Sequence, residues 1–202
     1  MDKRYSDIRE YVRIAFQKPG SHGFDHILRV TNICQQIGDA EQANMDVLIP
    51  AALFHDIARP LEEETGVRHE VEGARIAERY LTSIHYSPNY TREIIHAIET
   101  HRFTTKNPPK SLEAMILSDA DKIDAMGAIG IARAFLTAGE RGGDIQDGID
   151  HIHEKLLNLL NLMHTSTGRS IAEQRHRVLE EFITAIAQET GELVPLQKMD
   201  EI

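Results

Sequence analysis

The sequence has a single cysteine, Cys34, no tryptophan, and aromatic residues that make up only 5% of the chain. One cysteine excludes an intrachain disulfide and a structural zinc site built on several thiolates. Apolar runs of 18 residues are also missing, and the charged segment at 1–16 does not have the pattern of a signal peptide. These absences predict a cytoplasmic protein that neither crosses nor binds a membrane.

Basic residues are fewer than acidic ones: the chain has 22 Lys and Arg and 32 Asp and Glu, which gives a formal net charge of −10. Such a charge argues against a surface that binds DNA or RNA backbones. A small anionic ligand remains compatible with it, since a metal ion and a few local cations can reverse the sign of the charge inside a cleft.

Apolar residues recur at three- and four-residue spacing through almost the whole chain, and alternating strand patterns are absent. The spacing predicts an all-α fold: a single domain over 1–202, with a core at about 20–140 and a C-terminal helical pair at about 146–190. Gly127 and Gly130 are expected to allow close helix packing. The predicted helices cover 27–38 with Gly38 as the stop, 47–58 with Pro50 in the first turn and Pro60 as the end, 69–81, 90–101, 112–136, 152–163 and 171–186.

Polar side chains that are costly to bury occupy the ends or interiors of these apolar helices. They are His26, the pair His55 and Asp56, His69, His101, and the three aspartates Asp119, Asp121 and Asp124. Buried groups of this kind need hydrogen-bonding partners, a counter-charge or a metal. Imidazole and carboxylate ligands suit a divalent ion such as Mn, Fe, Co, Ni or Zn. Spacing alone does not choose among the three aspartates.

The order of these residues resembles the HD-domain metal-dependent phosphohydrolase superfamily over roughly residues 20–185. The matching residues are His26 in "HILRV", His55 and Asp56 in "LFHDI", and Asp121 in "DADKID". The resemblance implies a helical bundle with a central divalent metal (Mn favoured, or Co, Ni, Fe, Mg or Zn) held by these four residues. Segment 118–135 is similar to small stand-alone members, which include bacterial enzymes that cleave deoxynucleoside triphosphates to monophosphate and pyrophosphate.

Further side chains near these ligands are expected to contact a small phosphorylated substrate, most simply a nucleotide. His22 and Arg29 lie about one turn before and after His26, although a surface position is the alternative for His22. In binuclear members of the superfamily, histidines in comparable places to His69 and His101 bind a second metal, so that role stays open beside a structural one. The expected substrate-binding residues are His22, Arg29, His69, His101, Lys122 and Arg133.

The expected catalytic residues are His55 and Asp56 together with Glu62 or Glu63. Many HD nucleotidases carry a glutamate three residues after the aspartate, whereas this chain has Arg59 there. Glu62 and Glu63 are the nearest carboxylates for general acid–base catalysis.

Four other functions compete with pyrophosphohydrolysis: a 5′-nucleotidase, another phosphomonoesterase or phosphodiesterase, a di-iron HD oxygenase, and a non-catalytic regulatory HD module. The oxygenase would need both His69 and His101 on metal, and the regulatory module would need a lost ligand, which is not observed. The segment "HRFTTKNPP" argues against cyclic-di-GMP hydrolysis, because it lacks the HHE…GYP pattern. A homodimer is compatible with the sequence.

Overall fold

Helices dominate the computed structural model, which describes residues 3–16, 23–102 and 107–191. Within those residues no strand occurs, and the predicted all-α fold is confirmed. A short 3₁₀ helix at Leu156–Leu162 interrupts the α-helices near the C-terminus. The α-helices are α1 Lys3–Ala15, α2 Phe24–Glu41, α3 Met45–Phe54, α4 Arg59–Thr65, α5 His69–Ser83, α6 Pro88–Thr100, α7 Leu112–Asp124, α8 Gly127–Glu140, α9 Ile145–Glu154 and α10 Ser166–Thr190.

Helix α3 is the centre of the bundle, since every residue from Val47 to Phe54 is buried. It packs against α1, α2, α6 and α7. Pro50 lies beyond the first turn, contrary to the prediction, because the helix begins at Met45. Proline has no N–H to donate to the carbonyl four residues earlier. The Asp46 carbonyl accepts a hydrogen bond from Tyr86 Oη at 2.8 Å instead, so the buried proline leaves no unpaired acceptor there.

The long helix predicted for 112–136 is wrong, because the chain breaks between α7 and α8. Gly127 adopts φ 67°, a left-handed conformation that glycine enters at little cost. A Cβ atom on Gly130 would lie 2.1 Å from the Ala125 carbonyl oxygen. Both glycines therefore permit a tight turn, in addition to the close packing that was predicted for them.

Two other predicted helix ends are corrected. Helix α2 continues past Gly38 to Glu41, and a Cβ on Gly38 would lie 2.6 Å from Leu48 Cδ2, so this glycine lets α2 and α3 approach closely. The buried helix ends at Phe54, four residues before the predicted end. Pro60 stands at the start of α4, where its missing N–H has no intrahelical role.

The C-terminal helices pack onto the bundle through α10, which contacts α2, α7 and α8. Asp119 ties the start of α10 to α7: its carboxylate accepts hydrogen bonds from the backbone N–H of His164 at 2.9 Å and of Thr165 at 2.8 Å. This contact fixes the start of α10 against α7. No described helix is long and apolar enough to cross a membrane.

Candidate metal centre

Helices α2, α3 and α7 bring the four predicted metal ligands together. His26 lies in the first turn of α2, His55 and Asp56 directly follow α3, and Asp121 lies in the last turn of α7. His26 Nε2 is 3.3 Å from His55 Nε2, 3.6 Å from Asp56 Oδ2 and 3.4 Å from Asp121 Oδ1. The first three side chains are buried, whereas Asp121 keeps 31% of its side chain exposed. The centre is therefore open to solvent beside Asp121.

A second pair of histidines meets the other carboxylate oxygen of Asp56. His69 Nε2 is 3.1 Å and His101 Nε2 is 3.6 Å from Asp56 Oδ1, and the two Nε2 atoms are 3.4 Å apart. His69 begins α5 and His101 follows α6, as their positions in the sequence predicted. Asp56 thus offers one oxygen to each histidine pair, so each pair together with Asp56 could hold a divalent ion.

Each of the four histidines points Nε2 into the centre because Nδ1 is held by another protein atom. Such outer hydrogen bonds fix the orientation of ligating imidazoles and select the nitrogen that remains free. The Nδ1 contacts are His26 to Asp124 Oδ2 at 2.7 Å, His55 to the Ala52 carbonyl at 2.7 Å, His69 to Glu62 Oε2 at 2.6 Å, and His101 to the Ile98 carbonyl at 2.7 Å.

Asp124 also binds the two arginines that were expected to contact substrate. Arg29 Nε donates to Asp124 Oδ1 at 2.7 Å, and one terminal nitrogen of Arg133 donates to Asp124 Oδ2 at 2.8 Å. Arg29 additionally pairs with the exposed Asp25. Asp124 therefore joins α2, α7 and α8 at the metal centre, and the role of Arg29 and Arg133 in binding phosphate stays a prediction.

The ionisation states around Asp56 suit a metal. Burial raises the pKa of Asp56, but the nearby imidazoles of His55, His101 and His69 outweigh it and hold the pKa well below the usual aspartate range. Burial lowers the pKa of His55 to about 4. Near pH 7 the protein therefore presents an ionised carboxylate and a neutral imidazole, which are the forms that ligate metal ions.

Glu62 orients one of these histidines. Its Oε2 atom lies 2.6 Å from His69 Nδ1 and accepts from a terminal nitrogen of Arg59 at 2.7 Å. Burial raises the pKa of Glu62, but these two partners outweigh it and lower the pKa to about 2. The acid–base role of Glu62 stays a prediction. The side chain of Glu63, like all of His22, lies outside the described residues.

Three basic residues near the centre were not among the expected site residues. Arg59 Nε lies 4.0 Å from Asp56 Oδ2, and Arg102 donates to Glu62 Oε1 at 3.3 Å. Lys155 is an exposed residue directly before the 3₁₀ helix; partial desolvation lowers the pKa of its ammonium, and the charge of Asp121 opposes that shift. Arg59 lies three residues after Asp56, so the sequence could have indicated it as a site residue. Lys155 lies far from the His-Asp pair in the sequence, and only the fold relates it to the centre.

The donor set fits a divalent cation. Ligand atoms about 2.1 Å from an octahedral ion lie about 3.0 Å from their neighbours. One atom from each of His26, His55 and Asp56, and likewise from Asp56, His69 and His101, lies within 4.8 Å of the other two. Small movements would bring either trio to coordination distance, so the cluster can hold a divalent metal.

Chelation is expected to lower the melting temperature of the metal-loaded protein. An ion that binds only the folded state stabilises it by about 2.7 kcal/mol when its free concentration is 100 times Kd. For a chain of this length that corresponds to roughly 5–11 °C. Thermal unfolding with and without EDTA measures the shift, and Mn²⁺ in excess over the chelator should reverse it. An unchanged melting temperature for a sample with proven metal content would contradict a buried site.

The comparisons with known proteins identify the family of the chain. The sequence pattern of the HD domain matches residues 23–126. The chain is 33% identical over 198 residues to the uncharacterized protein YpgQ of Bacillus subtilis, covering 93% of this chain and 94% of that protein. The crystal structure of YpgQ in complex with ADP superposes with a TM-score of 0.76 at 29% identity, over 92% of this chain and 97% of the other.

A second solved structure carries the activity class in its name. The HD-superfamily hydrolase of Bacillus thuringiensis superposes with a TM-score of 0.76 at 30% identity, over 95% of this chain and 98% of the other. The matched segment 23–126 contains all six side chains that meet around Asp56. The chain therefore belongs to the HD domain family and is a metal-dependent phosphohydrolase of the HD superfamily.

Proposed function

We propose that the protein hydrolyses nucleoside or deoxynucleoside triphosphates at the α-phosphorus and releases pyrophosphate. One observation carries the proposal: the crystal structure of the relative YpgQ contains ADP. That structure has the same overall fold and covers 92% of this chain. ADP presents the nucleoside, the α-phosphate and the β-phosphate of such a substrate. The similarity of segment 118–135 to small pyrophosphohydrolases of the superfamily supports the same substrate class.

The metal would be held by His26, His55, Asp56 and Asp121. A second ion would use Asp56 Oδ1 with His69 and His101, because those three groups already lie within 3.6 Å of one another. Bound there, divalent ions polarise a phosphoryl oxygen and make an attacking water more acidic. Mn²⁺ is the favoured ion, since Asp56 and Asp121 supply the carboxylate oxygens that suit it beside the two imidazoles.

The chain's own cations would orient the phosphates. Arg59 lies 4.0 Å from Asp56 and Arg102 lies 3.3 Å from Glu62, so positive groups border a site inside a protein of net charge −10, and the charge of Lys155 interacts with that of Asp121. Guanidinium groups suit this task because they offer several N–H donors in one plane to phosphate oxygens. Arg29 and Arg133 would contribute through Asp124, by fixing His26, or by contacting the α-phosphate directly.

A carboxylate next to the attacking water would accept its proton. Glu62 is ionised and in contact with His69, so it can accept a proton but does not carry one to donate at neutral pH. Asp121 is the partly exposed carboxylate of the centre and lies where a substrate would enter. We assign Glu62 the orientation of His69 and a supporting role as base.

A nucleotide panel assayed with Mn²⁺, Co²⁺ and Mg²⁺ is expected to show monophosphate and pyrophosphate from triphosphates. Separate detection of pyrophosphate and orthophosphate identifies the bond that breaks, since attack at the γ-phosphorus would yield orthophosphate and a diphosphate. Orthophosphate from monophosphates would favour a 5′-nucleotidase. Full metal occupancy without turnover of any phosphoester would contradict the proposal and favour the regulatory function, or the oxygenase if oxygen is consumed.

A further inference from the structure

The C-terminal helices reach the end of α7 that carries Asp121. The HD pattern matches residues 23–126, so α8, α9 and α10 lie outside it. One terminal nitrogen of Arg175, in α10, donates a hydrogen bond to the Ile123 carbonyl at 2.7 Å. Ile123 stands two residues after Asp121 and directly before Asp124. A side chain from outside the family pattern therefore binds the backbone beside two residues of the metal centre.

The Ile123 carbonyl belongs to the last turn of α7, where helical carbonyls lose their partners within the helix. It also accepts a hydrogen bond from the Met126 N–H at 3.0 Å, in the turn that leads to α8. Lys122, the basic residue of the same turn, donates instead to the Ser118 carbonyl at 2.9 Å and to Ser118 Oγ at 2.6 Å, and its contact with substrate stays a prediction. A cation at this end of a helix interacts favourably with the helix dipole. Arg175 therefore caps α7 from another helix.

The aliphatic stem of Arg175 packs on the turn between α7 and α8. A Cβ atom on Gly127 would lie 3.2 Å from both Cβ and Cγ of Arg175 and 3.4 Å from its Cδ. The backbone of Gly127 is therefore in close contact with this stem, in a turn that already requires its left-handed φ of 67°. One side chain thus contacts the turn through its stem and the helix end through its guanidinium, which fixes the last turn of α7 relative to α10.

The half-buried guanidinium of Arg175 is held at this place without an ion pair among the described residues. Burial lowers the pKa of Arg175, the charge of Asp124 opposes that shift, and the charge of Arg29 reinforces it. Partial burial of a cation without a counter-charge is unfavourable. The hydrogen bond to the Ile123 carbonyl is the described contact that offsets this burial, so the contact with α7 accounts for the position of the side chain.

We propose that Arg175 is a positioning residue of the metal centre, which fixes the last turn of α7 so that the Asp121 carboxylate stays beside His26. Asp121 depends on such support more than the other three predicted ligands do, because 31% of its side chain is exposed whereas theirs are buried. Arg175 acts through the backbone of Ile123 and forms no described contact with the ligands themselves. This role belongs to the metal-dependent reaction in general and does not depend on which phosphoester is cleaved.

The test is calorimetric titration of Mn²⁺ into the metal-free protein, with thermal unfolding of each variant as a check on folding. Arg175→Met removes the guanidinium and keeps a stem that packs on Gly127, and it should raise the Kd of Mn²⁺ roughly 10-fold. Electrostatics alone predict the opposite sign, since removal of a positive charge near a cation site tightens cation binding. Arg175→Lys keeps a cation that can donate to a carbonyl and should restore the Kd to within about 3-fold of wild type. Arg177→Met, exposed on the same helix, is the matched control and should leave the Kd unchanged.

The outcomes separate a positioning role from a purely structural one. A lower melting temperature of Arg175→Met with an unchanged or smaller Kd of Mn²⁺ would overturn the inference, and so would equally weak binding in Arg177→Met. If Arg175→Met does not fold, Arg175→Gln takes its place: its amide tolerates partial burial but is too short to bind the Ile123 carbonyl, so the same increase in Kd is expected. No nucleotide enters the titration, so the result stands even if the proposed triphosphate hydrolysis fails.

Discussion

The substitution Asp56→Asn is expected to abolish metal binding and phosphohydrolase activity together. Asp56 Oδ2 lies 3.6 Å from His26 Nε2 and Oδ1 lies 3.1 Å from His69 Nε2, so one carboxylate serves both histidine pairs. An amide offers only one oxygen and no negative charge, so it cannot serve both pairs or balance a divalent ion. Loss of several kcal/mol of charge stabilisation corresponds to a decrease in kcat of roughly 1000-fold or more.

Metal analysis and a phosphoesterase assay on the same purified sample measure both effects. Asp39→Asn is the matched control, because Asp39 is exposed on α2 and its carboxylate accepts hydrogen bonds from the exposed Gln35 amide, away from the metal centre. It should retain full metal content and activity. An Asp56→Asn protein that keeps stoichiometric metal and wild-type turnover would contradict the assignment of Asp56 as the shared ligand.

The fold class and the candidate ligands His26, His55 and Asp56 could be predicted because they depend on local patterns in the sequence. Apolar spacing reports which side of each helix is buried, and a His-Asp pair at the end of an apolar helix conflicts with burial unless a partner exists. The resemblance then selected Asp121 among three aspartates. The structure places Asp121 Oδ1 3.4 Å from His26 Nε2, whereas the Asp119 carboxylate binds His164 and Thr165 at the start of α10.

Other features depended on contacts between residues far apart in the sequence and could not be predicted from spacing. Asp124 and His26 are separated by 98 positions, so neither residue signals the hydrogen bond between them. The turn after Asp124 escaped detection because apolar periodicity continues from α7 into α8 and conceals the break at Gly127. Lys155 comes within range of the Asp121 charge only through the packing of the C-terminal helices.

The substitution Asp124→Asn is expected to destabilise the protein by about 2–3 kcal/mol, since the buried carboxylate loses its charge and with it the charge-assisted hydrogen bonds to the partly buried Arg29 and Arg133. The Asp124 side chain is 1% exposed and binds Arg133 at 2.8 Å and Arg29 at 2.7 Å, and Arg29 would keep only the exposed Asp25. Burial raises the pKa of Asp124, but His26 and Arg29 outweigh it and hold the pKa well below the usual range. This stabilisation is therefore complete at pH 7 and is lost as the pH falls below about 4.

The same substitution should weaken metal binding about 10- to 100-fold, because His26 loses the carboxylate that orients it. Asp119→Asn is the matched comparison: Asp119 is fully buried on the same helix, but its hydrogen bonds come from backbone N–H groups and the Thr165 hydroxyl. It should lose about 1–3 kcal/mol of stability and keep its metal affinity. Urea unfolding and metal titration of both variants separate the two effects. If both variants lose metal affinity equally, the loss results from general destabilisation. If only Asp124→Asn loses metal affinity, Asp124 acts through His26.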